Sequence, residues 1–434
     1  MSFPRYPAYK DSGVEWLGEV PEHWAVKRIG YFFNERREKV SDKDFPALSV
    51  TKHGIVPQLE TAAKSDDSDN RKRVAKGDFV INSRSDRKGS AGASDLDGSV
   101  SLICTVMRPQ EAVHTPFIHH LLRSMPFQEE FYRNGKGIVA DLWSTNYSEM
   151  RNILLGMPPL PEQTRIAAFL NRETAKIDGL VAEQQRLIDL LKEKRQAVIS
   201  HAVTKGLNPS APMKPSGIEW LGDVPAHWTC LQVGKVCRKV ADGPHFSPKY
   251  LDEGVPFISA RNIKVEAWSM EDVKFVSEDD CREFDRRVIP EFGDVLYTKG
   301  GTTGVARVVD FHYRFQVWVH VAVLKIKPDI VDAKYLALSL NGTACYEQSQ
   351  LLTRGATNND LGLTRMIKIW FALPPISEQQ AVVAEIEKVT GALDTLITEA
   401  QRAIDLLQER RTALISAAVT GQIDVRHLAE SGAA

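Results

Sequence analysis

From Glu162 onward, apolar side chains keep a seven-residue spacing. Leu170, Ile177, Leu191 and Val198 hold one seam, and Val181 and Ile188 the other, with breaks at Thr174, Gln184, Arg195 and Ala202. A second stretch repeats both the stripe and its flaws. There Ile386, Leu393, Leu407 and Leu414 form one seam and Ile397 and Ile404 the other, broken at Thr390, Ala400, Arg411 and Ala418. A heptad sustained over this length predicts two coiled-coil helices, over 161–205 and 377–421. Pro161 is expected at the first helical position and Ser377 as an N-cap. About 43 residues at 1.5 Å each give a helix of roughly 60 to 65 Å.

Residues 25–157 and 229–373 show a different pattern, short β-like apolar runs between turns. Lys76-Gly77-Asp78-Phe79-Val80-Ile81-Asn82-Ser83 parallels Phe292-Gly293-Asp294-Val295-Leu296-Tyr297-Thr298-Lys299, a Gly-Asp turn entering a buried strand with a polar end. Each strand runs into a loop, Arg84 to Ser90 in one and Lys299 to Gly304 in the other. A further strand is expected after each, over Val100–Val106 and Val317–Leu324.

The likeness of the two halves extends to longer strings. Ser12-Gly13-Val14-Glu15-Trp16-Leu17-Gly18-Glu19-Val20-Pro21-Glu22-His23-Trp24 returns as Ser216-Gly217-Ile218-Glu219-Trp220-Leu221-Gly222-Asp223-Val224-Pro225-Ala226-His227-Trp228. Pro158-Pro159-Leu160-Pro161-Glu162-Gln163 returns as Pro374-Pro375-Ile376-Ser377-Glu378-Gln379. A period near 200 residues is too long for a solenoid, so each copy is a domain-sized unit. Gly and Pro make the tryptophan segment a turn-rich strap, expected to pack its indoles onto the domain or the helix ends. The fold expected is α+β: two mixed α/β domains joined by two long helices in an antiparallel coiled coil, with a pseudo-twofold internal repeat. The alternatives are helices that pack only on their own domains, or stripes that drive homodimerisation. The parts are the first strap and domain (1–157), the central helix and linker (158–212), the second strap and domain (213–373), the C-terminal helix (374–425) and a tail (426–434).

At 434 residues, with 43% hydrophobic and 26% charged residues, the composition is that of an ordinary globular chain of two to three domains. No signal-peptide pattern and no run of about 18 apolar residues is present, so a cytoplasmic protein with no membrane partner is expected. Five scattered cysteines lack close C-x-x-C spacing, so free buried thiols are expected and no metal site. The net charge of -1 means that any phosphate-binding charge is local. Base concentrates at Arg71-Lys72-Arg73 and at Arg84, Arg87 and Lys88, although Asp66, Asp67 and Asp69 precede the first cluster; a solvated face reads either cluster equally well.

The loops carry the candidate chemistry. Glycine lets backbone approach a phosphate closely, while Arg, Lys, Thr and Asn donate to phosphates and base edges. Arg84, Arg87, Lys88 and Ser90, then Asn146 and Tyr147 in the loop from Gly137, are the candidates in the first domain. His245, Arg261, Lys299, Thr302, Thr303, Asn358 and Asn359 are those in the second; Asn in such loops is equally a turn former. Lys299-Gly300-Gly301-Thr302-Thr303-Gly304 is not a P-loop, and no G-x-S-x-G, H-E-x-x-H or strand-opening G-x-G-x-x-G occurs. Glu271 and Asp272 before Lys274 echo a nuclease triad only at the level of chance, so no catalytic residue is assigned.

With its duplicated straps, paired Pro-Pro-(Leu/Ile)-(Pro/Ser)-Glu-Gln strings and recurring helices, the chain resembles the DNA-specificity (S) subunits of type I restriction-modification enzymes over essentially its whole length. Ser377 in place of the proline at Pro161 is the one departure. The resemblance implies two target-recognition domains, each reading half of a bipartite, asymmetric duplex site, and spacer helices that set the gap. It also implies two methyltransferase (M) subunits and motor-nuclease (R) subunits as partners, with S-adenosylmethionine, ATP and Mg²⁺ bound there and no cofactor in this chain. The loop residues become candidate DNA contacts. A coiled-coil scaffold without DNA contact and a self-contained methyltransferase or nuclease are the competing readings.

Overall fold

The computed structural model describes residues 3–59, 69–137, 143–355 and 359–428. They form two compact units, Met1–Gln185 with Gln401–Ala434, and Arg186–Ala400. Among the described residues, no helix is long and apolar enough to cross a membrane.

The first unit holds a four-stranded antiparallel sheet in the order Ala91–Ala93, Phe79–Asn82, Cys104–Pro109, Phe33–Glu35. The second holds its counterpart in the matching order Ala306–Val308, Val295–Thr298, Val321–Ile326, Cys237–Asp242. The Gly-Asp turns anticipated from the sequence lead into equivalent strands. Asp78 accepts a bond from the Ala75 N–H at 2.8 Å and pairs with Arg36; Asp294 accepts from the Glu291 N–H at 2.7 Å and pairs with Lys325. Each carboxylate thus closes its own turn and takes a cation, Arg36 just past the strand Phe33–Glu35 in the first unit and Lys325 of the adjacent strand Val321–Ile326 in the second.

The apolar runs after the loops are cut in two, where one strand each was expected. Gly98–Val100 pairs in a small sheet and Cys104–Pro109 in the large one; Gln316–Val317 and Val321–Ile326 divide likewise. Leu102 and Ile103 are exposed at the first break and Trp318 and Val319 half-buried at the second, but the sequence stays apolar through both, so hydropathy does not reveal the break. The small sheets differ between the units: Gly98–Val100 runs antiparallel to Arg71–Val74, whereas Gln316–Val317 runs parallel to Val255–Ile258.

The long helices span Leu160–Lys205 and Ile376–Val419, about 69 and 66 Å at 1.5 Å per residue. Each starts one residue before the expected site. The carbonyls of Pro159 and Pro375 accept from the following Glu and Gln N–H groups, so Pro161 and Ser377 are second helical residues and Ser377 is not the cap. In the first unit Ile166, Leu170 and Ile177 share a core with Leu414, Ala418 and Val419. The start of one helix therefore lies beside the end of the other. In the second unit Ile199, Ala202 and Val203 share a core with Val382, Val383 and Ile386, the opposite ends of the same two helices. The pairing is antiparallel in each.

Of the seam residues, Leu170, Ile177, Ile188, Leu191, Ile386, Leu393, Ile404 and Leu414 are buried, and Val181, Val198, Ile397 and Leu407 half-buried. The breaks have their own chemistry. Thr174 and Thr390 donate back to the carbonyls of Leu170 and Ile386, at 2.7 and 2.8 Å, which satisfies a buried hydroxyl inside its own helix. Arg411 pairs with Asp178 at 2.8 Å and Arg195 with Asp394 at 3.1 Å, each joining the two helices within its unit.

The strap is a hairpin, Tyr9–Asp11 with Glu19–Pro21 and again Met213–Pro215 with Asp223–Pro225. Its turn needs glycine at Gly18 and Gly222, whose φ values of 57° and 58° are left-handed. Trp24 and Trp228 are fully buried, and their indole N–H groups donate to Glu162 and Glu378 at 3.0 and 3.1 Å. His23 and His227 meet the other carboxylate oxygens at 2.7 and 2.8 Å, and Tyr6 adds a hydroxyl to Glu162 at 2.8 Å. Trp16 is half-buried against Phe127, while Trp220 is exposed. Gln163 and Gln379, next along, each bond three backbone groups of their own unit.

Glu162→Ala strands the Trp24 and Tyr6 donors in a buried site, at about 1–3 kcal/mol for each group left unpartnered. Glu378→Ala is expected to cost less, because that side chain is 31% exposed against 8% for Glu162. Urea unfolding of the two variants checks this; equal losses would contradict it.

Candidate nucleic-acid interface

At the end of the strand Phe79–Asn82 the chain turns through Ser83 and the 3-10 turn Ser85–Arg87. Thr145 N–H donates to the Ser83 carbonyl at 3.0 Å, and Ser144 forms backbone bridges with both Arg84 and Lys136. The loop from Arg84 and the segment at Ser144 to Tyr147 are thus brought together. Gly135 leaves room for Trp143, whose indole donates to the Tyr132 carbonyl at 3.0 Å; a Cβ there would lie 2.2 Å from the indole nitrogen.

The second unit repeats the geometry with different side chains. After the strand Val295–Thr298, Gly300 and Arg354 both bridge to Asp360, Gly301 N–H donates to the Asn359 carbonyl, and Leu361 N–H to that of Lys299. Arg84 and Gly300, Ser144 and Asp360, and Lys136 and Arg354 occupy matching places. The late loops expected from the sequence begin at Gly137 and Gly355, one residue past a cation in each case. Lys136 and Arg354 are both exposed. A cation followed by glycine at corresponding points of the repeat is the signal that marks them.

The individual candidates differ in accessibility. Arg84 is exposed and its guanidinium has no ion-pair partner among the described residues, Arg87 faces Asp86 at 3.5 Å, and Lys88 pairs with Glu129 and lies 4.9 Å above the Tyr132 ring. Ser90 is buried. Asn146 is exposed, whereas the Tyr147 hydroxyl donates inward to the Phe33 carbonyl at 2.6 Å. In the second unit His245, Thr302 and Asn359 are exposed, and Thr303 is buried with its hydroxyl 3.2 Å from Gln350. Arg261 is exposed on the separate turn Ala260–Asn262, with no bond to the Lys299 loop among the described residues. Asn358 lies outside the described residues, as do Asp66, Asp67 and the middle of the loop from Gly137, 138–142.

Two cations of the basic string at Arg71 turn inward, while Arg73 pairs at the surface with Glu38 at 3.4 Å. Arg71 is buried and bonds the Ser99 hydroxyl at 2.8 Å, and Lys72 donates to the Cys104 carbonyl at 2.8 Å.

Lys299 is only 4% exposed. Its ammonium lies 3.2 Å from Asp242 and 3.7 Å from Asp360. Asp242 also takes Arg287 at 2.6 Å and His245 at 3.3 Å, and Asp360 takes Arg365 at 3.2 Å. Burial pushes the Asp242 carboxyl up, but Arg287 and Lys299 together outweigh it and hold the group below its ordinary value. Burial and the Lys299 charge push the neighbouring His320 down. Among the described residues no group of three or more His, Cys, Asp or Glu is placed to hold a metal ion.

The chain as a whole is similar to known proteins in sequence and in fold. Residues 225–405 fit the family described as Type I restriction modification DNA specificity domain. The chain is 20% identical to the Type I restriction enzyme EcoKI specificity subunit of Escherichia coli (strain K12), covering 95% of this chain and 92% of that protein. It is 22% identical to the StySPI specificity subunit of Salmonella potsdam, with 95% and 92% covered. In fold it is similar to a chain solved for complex assembly and conformational transition of the type I R-M system, with TM-score 0.68, 19% identity, and 92% of this chain and 98% of that one covered. A similar likeness links it to the HsdS subunit from Thermoanaerobacter tengcongensis, with TM-score 0.50, 19% identity, and 93% and 98% covered.

Because the folded pKa of Asp242 is depressed, its contribution to stability is fully present above the ordinary 3.8 and is lost as pH falls through the lower folded value. The stability gap between the wild type and Asp242→Asn is therefore expected to be constant above 3.8 and to narrow below it. Unfolding measured across that range tests the point; a gap that widens in acid would refute the assignment.

Proposed function

We propose, for a chain that belongs to the DNA-specificity (S) subunits of type I restriction-modification systems, that its two β-rich domains each read one half of a bipartite, asymmetric duplex site. The chain is the non-catalytic subunit that determines DNA target recognition in a multisubunit enzyme. Recognition domains near residues 25–157 and 229–373, joined by spacer helices, are the working division.

One observation carries the reading: the same backbone frame is built twice, and the side chains differ where the loops converge. Arg84 beside Ser144 in one unit and Gly300 beside Asp360 in the other present unlike donors and acceptors from equivalent positions. Two different faces on one scaffold suit an asymmetric site. Exposed Arg84, Lys136, Arg261 and Arg354 supply phosphate charge, and Asn146, Thr302 and Asn359 supply donors for base edges. Local cations explain how a chain of net charge -1 holds a polyanion.

The paired helices are proposed to set the gap between half-sites and to dock two methyltransferase subunits, with motor-nuclease subunits completing the complex. S-adenosylmethionine, ATP and Mg²⁺ are assigned to those partners. Leu180 and Leu406 in the first unit, and Leu187, Leu190 and Leu396 in the second, are exposed on the helices and offer apolar anchors for such partners.

Replacing Arg84, Arg87 and Lys88 together by Ala should leave assembly intact and weaken DNA binding. The salt slope of binding should fall by about 0.9 for each phosphate that is no longer neutralised. A scaffold that never touches DNA would show no change. Deleting seven residues from each helix shortens the pair by about 10.5 Å, or about three base pairs of duplex. Methylome sequencing of a host carrying the deleted form should report a gap reduced by that amount, and an unchanged gap rules out the spacer role.

A further inference from the structure

We infer that Lys299 is a positioning residue, a latch that holds the recognition loops of the second unit in one arrangement and does not bind DNA itself. This rests on the specificity-subunit reading and assigns a role within it.

A lysine in a glycine-rich loop reads naturally as a phosphate contact. Here its ammonium is withdrawn from solvent and held between two carboxylates. Those carboxylates belong to separate segments: Asp242 ends the strand Cys237–Asp242, and Asp360 sits in the late loop. Each carboxylate is tied onward, Asp242 to Arg287 and His245, Asp360 to Arg365. The backbone of Lys299 is fixed as well, its N–H donating to the His320 carbonyl and its carbonyl accepting from Leu361, both at 2.8 Å. One residue therefore joins the loop 299–304 to three other segments that approach the same face. At the equivalent place in the first unit stands Ser83, buried and 3.1 Å from the Thr105 hydroxyl. The same junction is held there by neutral groups.

Removing a charge from such a junction leaves Asp242 and Asp360 facing each other's field without their shared cation, so the loops lose a common position. Base discrimination depends on donors held in fixed geometry, while phosphate attraction does not.

The test uses the complete complex with its methyltransferase subunits and a pool of duplexes randomised over the binding region. Wild type, Lys299→Met and Asp360→Asn each select from the pool, and the salt slope is measured on the selected wild-type duplex. Both variants are expected to lose about tenfold in discrimination at one half-site. The other half-site, read by the first unit, and the salt slope should stay unchanged. Intact selection at both half-sites, equal loss at both, or a slope lowered by about 0.9 for Lys299→Met would overturn the inference, the last by making Lys299 a phosphate contact. If Lys299→Met does not assemble, Asp360→Asn alters a carboxylate that is 50% exposed and decides the matter by its own selection. A wild-type complex that selects no bipartite sequence would instead sink the specificity-subunit reading.

Discussion

The frame of each unit is organised around a carboxylate at the first turn of a long helix, buried at Glu162 and half-buried at Glu378. Glu162 and Glu378 each receive an indole N–H and a histidine ring from a strap far away in sequence. A carboxylate in a first helical turn is already favoured by the helix dipole, and it still requires donors when taken out of water. The strap supplies them, and the glutamine that follows fixes the loop behind. These few bonds set how each helix leaves its domain, which is why the strap and the Glu-Gln string recur together while the sequence between them drifts.

Within that frame the two domains use the same strand order and diverge in their means of holding loops. The first relies on hydroxyls and backbone bonds around Ser83 and Thr145, the second on charges around Asp242, Lys299 and Asp360. Charge networks inside a protein demand complete pairing, since a lone buried ion is far more costly than a lone hydroxyl. The two faces therefore differ in what they present and also in the chemistry that holds it in place.

Periodicity made the helices legible to within one or two residues, and repetition made the straps and the Gly-Asp turns legible. The fold class followed from those signals. Two kinds of information stayed hidden. Strand breaks at residues 101–103 and 318–320 leave hydropathy almost unchanged, so a single run conceals two sheets. Side-chain direction was the other: Arg71, Ser90, Lys299 and Thr303 look like surface donors in a linear string, yet each is buried. Lys136 and Arg354 stay inconspicuous for a related reason, because their relation to Arg84 and Gly300 exists only through backbone bridges to Ser144 and Asp360.

The strap of the first unit also meets the far end of the second helix. Gly421 sits so close that a Cβ would lie 2.3 Å from Pro21, and its carbonyl accepts the Tyr9 hydroxyl at 3.1 Å. The second unit is one continuous run of chain, whereas the first is closed by residues made some two hundred positions later. On the ribosome, the later-encoded half has all its pieces first and can finish folding while the earlier-made half waits with an exposed seam. Nascent chains in that interval are where chaperone capture or pairing with a neighbouring polypeptide would compete with correct closure.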